Sequence, residues 1–479
     1  MKKRLVFCFD GTWNTLDAAH PTNVLLTAQS VLPLPQDAAQ VIYYDEGVGT
    51  GGTVDYWKGG VLGEGLLQNL SEAYQNLIFN YTPGDEIFVF GFSRGAFTAR
   101  SFCGLLSNSG ILDRRHASKA RQAVELYRSR ADTTEHADQM MCFRRDFCSD
   151  TFVSEQEHAW RQGNCEGYTL DETRRIGVHY LGVWDTVGAL GVPKSFIFSD
   201  KLNRKFQFHD TDLSAFVKSA RHAVAIDELR EDFEPTLWKN LAELNQKAGV
   251  DATDVHAPYQ QKWFPGVHSS VGGGAEWRGL SDQALLWVWI GAMQAGLKFD
   301  TSQHSRIFEL APKFSEKLLH SDDPGLAFNE MSKRGRSRLP GPTQLHEVSL
   351  SAQRRWHENP ARFPEKEEYR PKTLQDVAKL LGAVDPMTLG VGDKYREMLS
   401  KQEFIMYTVK RGDGLRMIAK RFYGKANDSD RIFDLNRDVL EHQDLIFAEQ
   451  ELRLPKAGLL DERTDNVQMA AMPDSSKPT

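Results

Sequence analysis

The sequence predicts an α/β fold: a mostly parallel sheet with helical insertions, followed by a small C-terminal β-α-α-β unit. Three observations carry this. Short apolar runs alternate with segments of helical spacing through the first half of the chain. The runs are rich in Val, Ile, Phe and Tyr, as strands buried on both faces require. Beyond residue 400 two alternating runs bracket segments of helical spacing.

In order, strands are expected at 4-RLVFCF-9, 40-QVIYYD-45, 86-EIFVFG-91 and 178-VHYLGVW-184, with 263-WFPGVH-268 the weakest. Helical spacing covers 67-LQNLSEAYQNLIFNY-81 and 94-RGAFTARSFCGLL-106. Residues 107–175 are more polar and read as helical insertions over the sheet. Residues 305–375 contain a basic, turn-rich loop, 333-KRGRSRLPGP-342. The expected division is an α/β unit over 1–375, a helical connector over 376–403, a compact unit over 404–456, and a disordered tail over 457–479.

Composition bounds the function. The 479 residues are 41% hydrophobic and 26% charged, an ordinary soluble globular balance. The formal net charge of −7 provides no global basic field for nucleic acid. Cys8, Cys103, Cys142, Cys148 and Cys165 form no Cys-x-x-Cys pair, which argues against a disulfide framework or a zinc ribbon. Behind Met-Lys-Lys-Arg the apolar run spans only Leu5 to Phe9, too short for a secretory h-region. The longest apolar run, 284-ALLWVWIGAMQAGL-297, falls short of the roughly 18 residues a spanning helix needs. The expectation is a chain made in the cytoplasm without signal peptide or membrane anchor, any export using a route without a cleaved leader.

The chemistry concentrates in 91-GFSRG-95, a G-x-S-x-G motif. Such a serine must sit where a strand turns sharply into a helix. Ile87 to Phe90 lead in as a strand, and Ala96, Phe97, Ala99, Phe102 and Cys103 follow at helical spacing. Gly91 and Gly95 remove Cβ atoms that would collide as strand and helix approach. The helix N-terminus suits a developing oxyanion, with the Arg94 N–H as first donor.

Ser93 needs a base, and the base an orienting acid. In the α/β-hydrolase arrangement the chain order is serine, acid, histidine. Asp185 follows an apolar run and precedes a Gly-containing turn, the C-terminal edge of a parallel strand where catalytic groups collect. His268 lies between an apolar run and three glycines, in a loop able to reach a site. Within 221-RHAVAIDELREDFEP-235, His222 is a rival base and Asp227 or Glu228 a rival acid. His179, within a strand, reads as a core group.

The opening 7-FCFDGTWN-14 resembles a phosphatase D-x-D-G-T start, but Cys8 stands where the nucleophilic aspartate would be. It reads instead as a strand ending in an oxyanion loop, with Gly11 or Thr12 as second N–H donor and Asp10 as a brace. The cluster 47-GVGTGG-52 lacks the G-K-[ST] ending of a phosphate loop and reads as a turn or lid.

Taken together, FDGTWN, GDEIFVFGFSRGAFTAR, GVWDTVGALG, RHAVAIDELREDFEPTLW, WFPGVHSSVGGG, LSDQALLWVW, LHEVSLSAQRRW and YRPKTL resemble the α/β-hydrolase family that includes the phospholipase effectors of bacterial type VI secretion. The resemblance covers about residues 3–375. It implies a Ser93–Asp185–His268 triad, ester hydrolysis on phospholipid without metal or cofactor, type VI export, and a secretion or immunity partner. The chain departs from the family after the histidine, where Ser270 replaces an aspartate and Ala275 a tyrosine.

The C-terminal segments 407-YTVKRGDGLRMIAKRFYG-424, 432-IFDLNRDV-439 and 452-LRLP-455 resemble a LysM module, which implies binding of N-acetylglucosamine-containing glycans such as peptidoglycan. Gly414 replaces the usual Thr or Ser, and Ala448-Glu449 the usual Pro-Gly. Three functions are therefore weighed: a phospholipase, an esterase for acylated envelope glycans, and a non-catalytic envelope-binding delivery protein.

Overall fold

The computed structural model describes residues 2–459 apart from 12–15, 48–60, 130–132, 189–211, 231–232, 301–308, 321–339, 386–390, 392, 438, 441 and 449. Thr12, most of the glycine cluster at 47–52, most of the basic loop at 333–342, Glu449 and the tail from 460 lie outside the described residues.

The chain begins with β1 (Lys3–Phe9), α1 (Asn23–Ser30), β2 (Ala39–Asp45), α2 (Val61–Asn80), β3 (Glu86–Phe92) and α3 (Arg94–Ser109). The polar stretch that follows is helical as expected, with α4 (Ala120–Arg128), α5 (Thr134–Phe147) and α6 (Glu155–Asn164). Then come β4 (Val178–Trp184), β5 (Ala220–Ala225), α7 (Leu241–Lys247), β6 (Tyr259–Phe264), α8 (His268–Gly272), α9 (Gly279–Gln294) and α10 (Leu350–His357).

The six strands form one parallel sheet in the order β2-β1-β3-β4-β5-β6. Alternation along the strands feeds two cores. Leu5, Phe7, Phe9, Ile87 and Val89 pack with residues of α2, α3 and α4 on one face. Val6, Cys8, Phe88 and Phe90 pack with residues of α1 and α9 on the other. Trp287 and Trp289 of α9 are buried in that second core. Both faces are covered, which accounts for the unbroken apolar strand runs.

Two sequence expectations are corrected. The weakest strand was expected at 263–268, but β6 ends at Phe264 and starts at Tyr259. It lies at the sheet edge, where Gln260, Gln261 and Lys262 can pair on one side only, so its polar first half hid it from an apolar scan. His268 accordingly opens the short helix α8 rather than lying in an open loop. The strand β5, within the segment weighed only for His222 and its neighbouring acids, was missed.

After α11 (Ala378–Gly382) and α12 (Asp393–Ser400), a second, two-stranded antiparallel sheet joins β7 (Phe404–Thr408) to β8 (Glu451–Pro455). Between them run α13 (Leu415–Tyr423) and α14 (Ser429–Leu435), giving β-α-α-β. Leu415, Ile418, Ala419 and Phe422 of α13 share a small core with Tyr407, Leu452 and Leu454. Among the described residues no helix is long and apolar enough to cross a membrane.

Candidate active site

The chain runs from β1 outward to β2, then returns past β1 to β3 and continues the other way. This reversal leaves a crevice at the carboxyl ends of β1 and β3, where open α/β sheets bind ligands. Asp10 and Gly11 follow β1 there, and Ser93 follows β3.

Ser93 occupies the apex between β3 and α3 with φ 58° and ψ −122°, a left-handed-side conformation rare for a residue with a Cβ. Its amide donates to the Trp184 carbonyl at 3.1 Å, tying the elbow to β4. The flanking glycines are sterically required. A Cβ on Gly95 would meet the carbonyl oxygens of Phe9 and Asp10 at 2.2 and 2.4 Å, and one on Gly91 would meet the Gly95 oxygen at 2.5 Å. The elbow thus presses directly on the end of β1.

Asp185 directly follows β4, with a positive φ of 37°, and is 1% exposed. Its amide donates to the Ala223 carbonyl at 2.7 Å, and its Oδ1 accepts from the Ala225 amide at 2.9 Å. Its Oδ2 lies 2.6 Å from Nδ1 of His268. A carboxylate only accepts, so Nδ1 carries the proton of this bond. In the neutral ring Nε2 is then left as the proton acceptor.

The imidazole is held on two sides. Phe92, one residue before the serine, lies against it with ring centroids 4.6 Å apart, and Phe233 meets it edge-on at 4.8 Å. Gly272 makes the first contact possible, because a Cβ there would fall 1.9 Å from the Phe92 ring. The base is therefore packed against the elbow that presents Ser93.

A buried ion pair supports the same loop. Glu228 Oε2 accepts the His268 amide at 3.2 Å and pairs with Arg230 Nη2 at 2.8 Å. The Arg230 guanidinium lies 3.9 Å over the Phe233 ring. Burial opposes the charge on Glu228, but the hydrogen bond and charge of Arg230 prevail and hold it below the usual glutamate range. Sequence reasoning weighed Glu228 only as a rival acid and passed over Arg230, Phe92 and Phe233. The motif contained Phe92, but nothing in it says which ring that side chain meets.

The rivals are placed elsewhere. His222 is fully buried in β5, accepting the Thr186 amide on Nε2 at 3.2 Å and facing Gln261 Oε1 with Nδ1 at 3.0 Å. Burial pushes its pKa down to about 3, so it stays neutral. Asp227 accepts the Gly266 amide and the Tyr369 hydroxyl, and burial raises its pKa. His179, half-buried in β4, takes the Ile87 amide on Nδ1 at 3.3 Å.

Asp10 is 2% exposed and braces the loop after β1. Its Oδ2 accepts from Thr22 Oγ1 at 2.5 Å and from the Tyr44 hydroxyl at 2.8 Å. Its Oδ1 accepts the Gly11 amide at 2.7 Å, so that N–H already serves the brace. Arg94 is the first residue of α3, its amide in the turn where helix N–H groups have no intrahelical acceptor. Burial lowers the pKa of its guanidinium to about 10, well above neutrality.

With this geometry in place, comparison with known proteins is informative. Residues 3–290 match the family described as T6SS, phospholipase effector Tle1-like, catalytic domain. An uncharacterized protein of Saccharomyces cerevisiae, YEL023C, is 26% identical over 246 residues, 48% of this chain and 32% of that protein. The potassium binding protein Kbp of Escherichia coli is 33% identical over 90 residues toward the C-terminus, 19% of this chain and 57% of Kbp. The chain thus spans about a third of the first relative and just over half of the second. Among solved structures, an uncharacterized protein from Pseudomonas aeruginosa aligns at 17% identity with a TM-score of 0.37, covering 62% of this chain and 47% of that one. A Tle1 effector bound to the VgrG spike of the type 6 secretion system aligns at 18% identity with a TM-score of 0.30, covering 57% and 51%.

Proposed function

The chain belongs to the Tle1-like family of type VI secretion phospholipase effectors through its catalytic domain, and from this premise we propose that it is a serine ester hydrolase of the phospholipase A type. The observation that best supports this reading is the buried 2.6 Å Asp185–His268 bond packed against the strained Ser93 elbow.

In this mechanism Ser93 Oγ attacks the acyl ester carbonyl while Nε2 of His268 takes its proton. Asp185 keeps the ring in the required tautomer and stabilises the imidazolium. The oxyanion of the tetrahedral intermediate is met by the Arg94 N–H at the start of α3, with Thr12 as the second donor, since the Gly11 N–H is engaged by Asp10. His268 returns the proton to the leaving alcohol as the ester C–O bond breaks. A water, deprotonated by His268, then cleaves the acyl-serine and releases the fatty acid. The steps need no metal or cofactor.

The C-terminal unit favours a second reading. Its β-α-α-β order, with the LysM-like segments 407–424, 432–439 and 452–455, supports a LysM-like module, which in this reading holds the enzyme on peptidoglycan. An esterase on acylated envelope glycans would use both parts of the chain. Delivery by a type VI machine, and a cognate immunity partner, follow as proposals from the family.

Purified protein and Ser93→Ala, incubated with phospholipid vesicles and with acylated glycans, separate the readings by product mass. Fatty acid released from vesicles by the intact protein alone supports the phospholipase. Release from glycan alone selects the second reading, and equal release by both proteins removes Ser93 from the chemistry. Failure to sediment with peptidoglycan removes the targeting role.

A further inference from the structure

At the end of the sheet opposite Ser93, the register between β3 and β4 shifts at Ile87 and Phe88. A side chain completes the ladder there. The Val178 carbonyl accepts the Lys218 amide at 2.8 Å on the β5 side, and the Ile87 amide donates to Nδ1 of His179 at 3.3 Å. Nε2 of the same ring lies 3.1 Å from Nζ of Lys218. The ring stacks on Phe88 with centroids 6.2 Å apart, and Ser219 Oγ donates to the His179 carbonyl at 2.8 Å, which ties the pair to β5.

These two contacts fix where the protons sit. Nδ1 receives an N–H, so it carries a lone pair, and a neutral imidazole then has its proton on Nε2. That N–H points at Nζ, which accepts it only as a neutral amine, because an ammonium has three donors and no acceptor. An ammonium donating to Nε2 would leave the ring with no proton on either nitrogen. A doubly protonated ring would set Nδ1–H against the Ile87 N–H. The charged groups that face the pair are Glu86 on β3, Lys2 and Arg4 at the start of the chain, and Arg175 before β4. Glu86 is engaged by Lys2 at 2.7 Å and Arg4 at 2.9 Å, and Arg175 by Glu155 at 2.9 Å. Burial, then the Lys218 charge, pushes the His179 pKa down to about 4. Burial also lowers the pKa of Lys218, against the opposing pull of Glu86. The Lys218 side chain is exposed, so a reagent reaches Nζ.

We propose that Lys218 is a modification site, a neutral amine presented by His179 that takes acyl groups from activated donors of the acyl phosphate class. The Nζ lone pair attacks the carbonyl carbon of the donor and forms an N–C bond. The C–O bond to phosphate breaks, phosphate leaves with the electron pair, and the surplus Nζ proton passes to solvent. The oxygen of the product amide then accepts the Nε2–H of His179. This site is separate from the Ser93 chemistry and does not depend on it.

The test is a time course of the full-length protein with acetyl phosphate at pH 7 and at pH 9, with acetylation of each lysine read by peptide mass spectrometry. Lys420, exposed on α13, is the internal comparison. The expected result at pH 7 is acetylation of Lys218 about tenfold faster than Lys420. The lead narrows at pH 9, because a lysine that is charged at pH 7 gains neutral amine with pH and one that is already neutral does not. His179→Phe removes the N–H donor and should cut the lead to below about twofold. Thermal melting checks that this variant folds, and the pH comparison on the unsubstituted protein tests the proposal without it. Lys218 reacting no faster than Lys420 at pH 7, a lead that does not narrow at pH 9, or a lead kept by the folded variant overturns the proposal.

Discussion

Phe92 and His268 lie ring against ring, with centroids 4.6 Å apart. The residue that delivers the peptide chain to Ser93 therefore also seats the proposed base. Phe92→Ala removes a side chain that is 4% exposed and should cost about 3–5 kcal/mol of stability. Phe92→Leu, which retains bulk, should cost less yet still lower kcat, because a branched aliphatic group does not hold the imidazole plane. Denaturant unfolding and kcat on one phospholipid check both; an unchanged kcat in the leucine variant would show the ring to be mere filler.

Asp185 fixes the tautomer of His268 through the Oδ2–Nδ1 bond. Asp185→Asn presents an amide that can instead donate, favouring the wrong tautomer. The expected loss in kcat is about 10⁴-fold, with KM little changed. A loss under tenfold would mean that this bond only holds the fold.

Glycine positions give a paired test of the elbow. Gly95→Ala forces a methyl onto two backbone carbonyls of the β1 end and should destabilise by about 1–3 kcal/mol or more while abolishing activity. Gly163 lies in the last turn of α6 with nothing within 4 Å of an added Cβ. Gly163→Ala should stabilise by up to about 1 kcal/mol. Thermal melting of both variants checks the pair, and equal shifts would contradict the steric account.

Two buried groups set the acid side of the stability profile. Glu228 has a folded pKa below its usual 4.5, so its stabilisation is present above pH 4.5 and is lost as pH falls through the folded value. His222 has a folded pKa near 3 against an ordinary 6.5. The unfolded chain binds that proton first, so stability falls as pH drops from 6.5 toward 3, by at most about 1.4 kcal/mol per pH unit. His222→Gln should be less stable at pH 8 yet lose less stability between pH 6.5 and 4. Urea unfolding at stepped pH checks this; parallel slopes for both proteins would show His222 not to be buried neutral.

Much of this architecture was legible because glycine and strand ends punctuate it. Gly91, Gly95 and the apolar run before them announced the turn at Ser93, and Asp185 was marked by ending an apolar run. The strand β5 escaped because Arg221 and His222 interrupt its short apolar pattern; both are buried, and hydrogen bonds from Arg221 to Gln294 and between His222 and Gln261 offset that cost. β6 was displaced in the reading because an edge strand tolerates Gln260, Gln261 and Lys262. The support around His268 was not legible at all. Glu228, Arg230 and Phe233 act through contacts across the sheet end, and only the fold brings those segments together.

The most direct measurement is covalent labelling of the purified protein with a fluorophosphonate, a probe that reacts with activated serines, followed by peptide mass spectrometry. The account predicts a single adduct on Ser93, absent in Ser93→Ala and strongly reduced in His268→Ala. An adduct elsewhere, or undiminished labelling without His268, would contradict it.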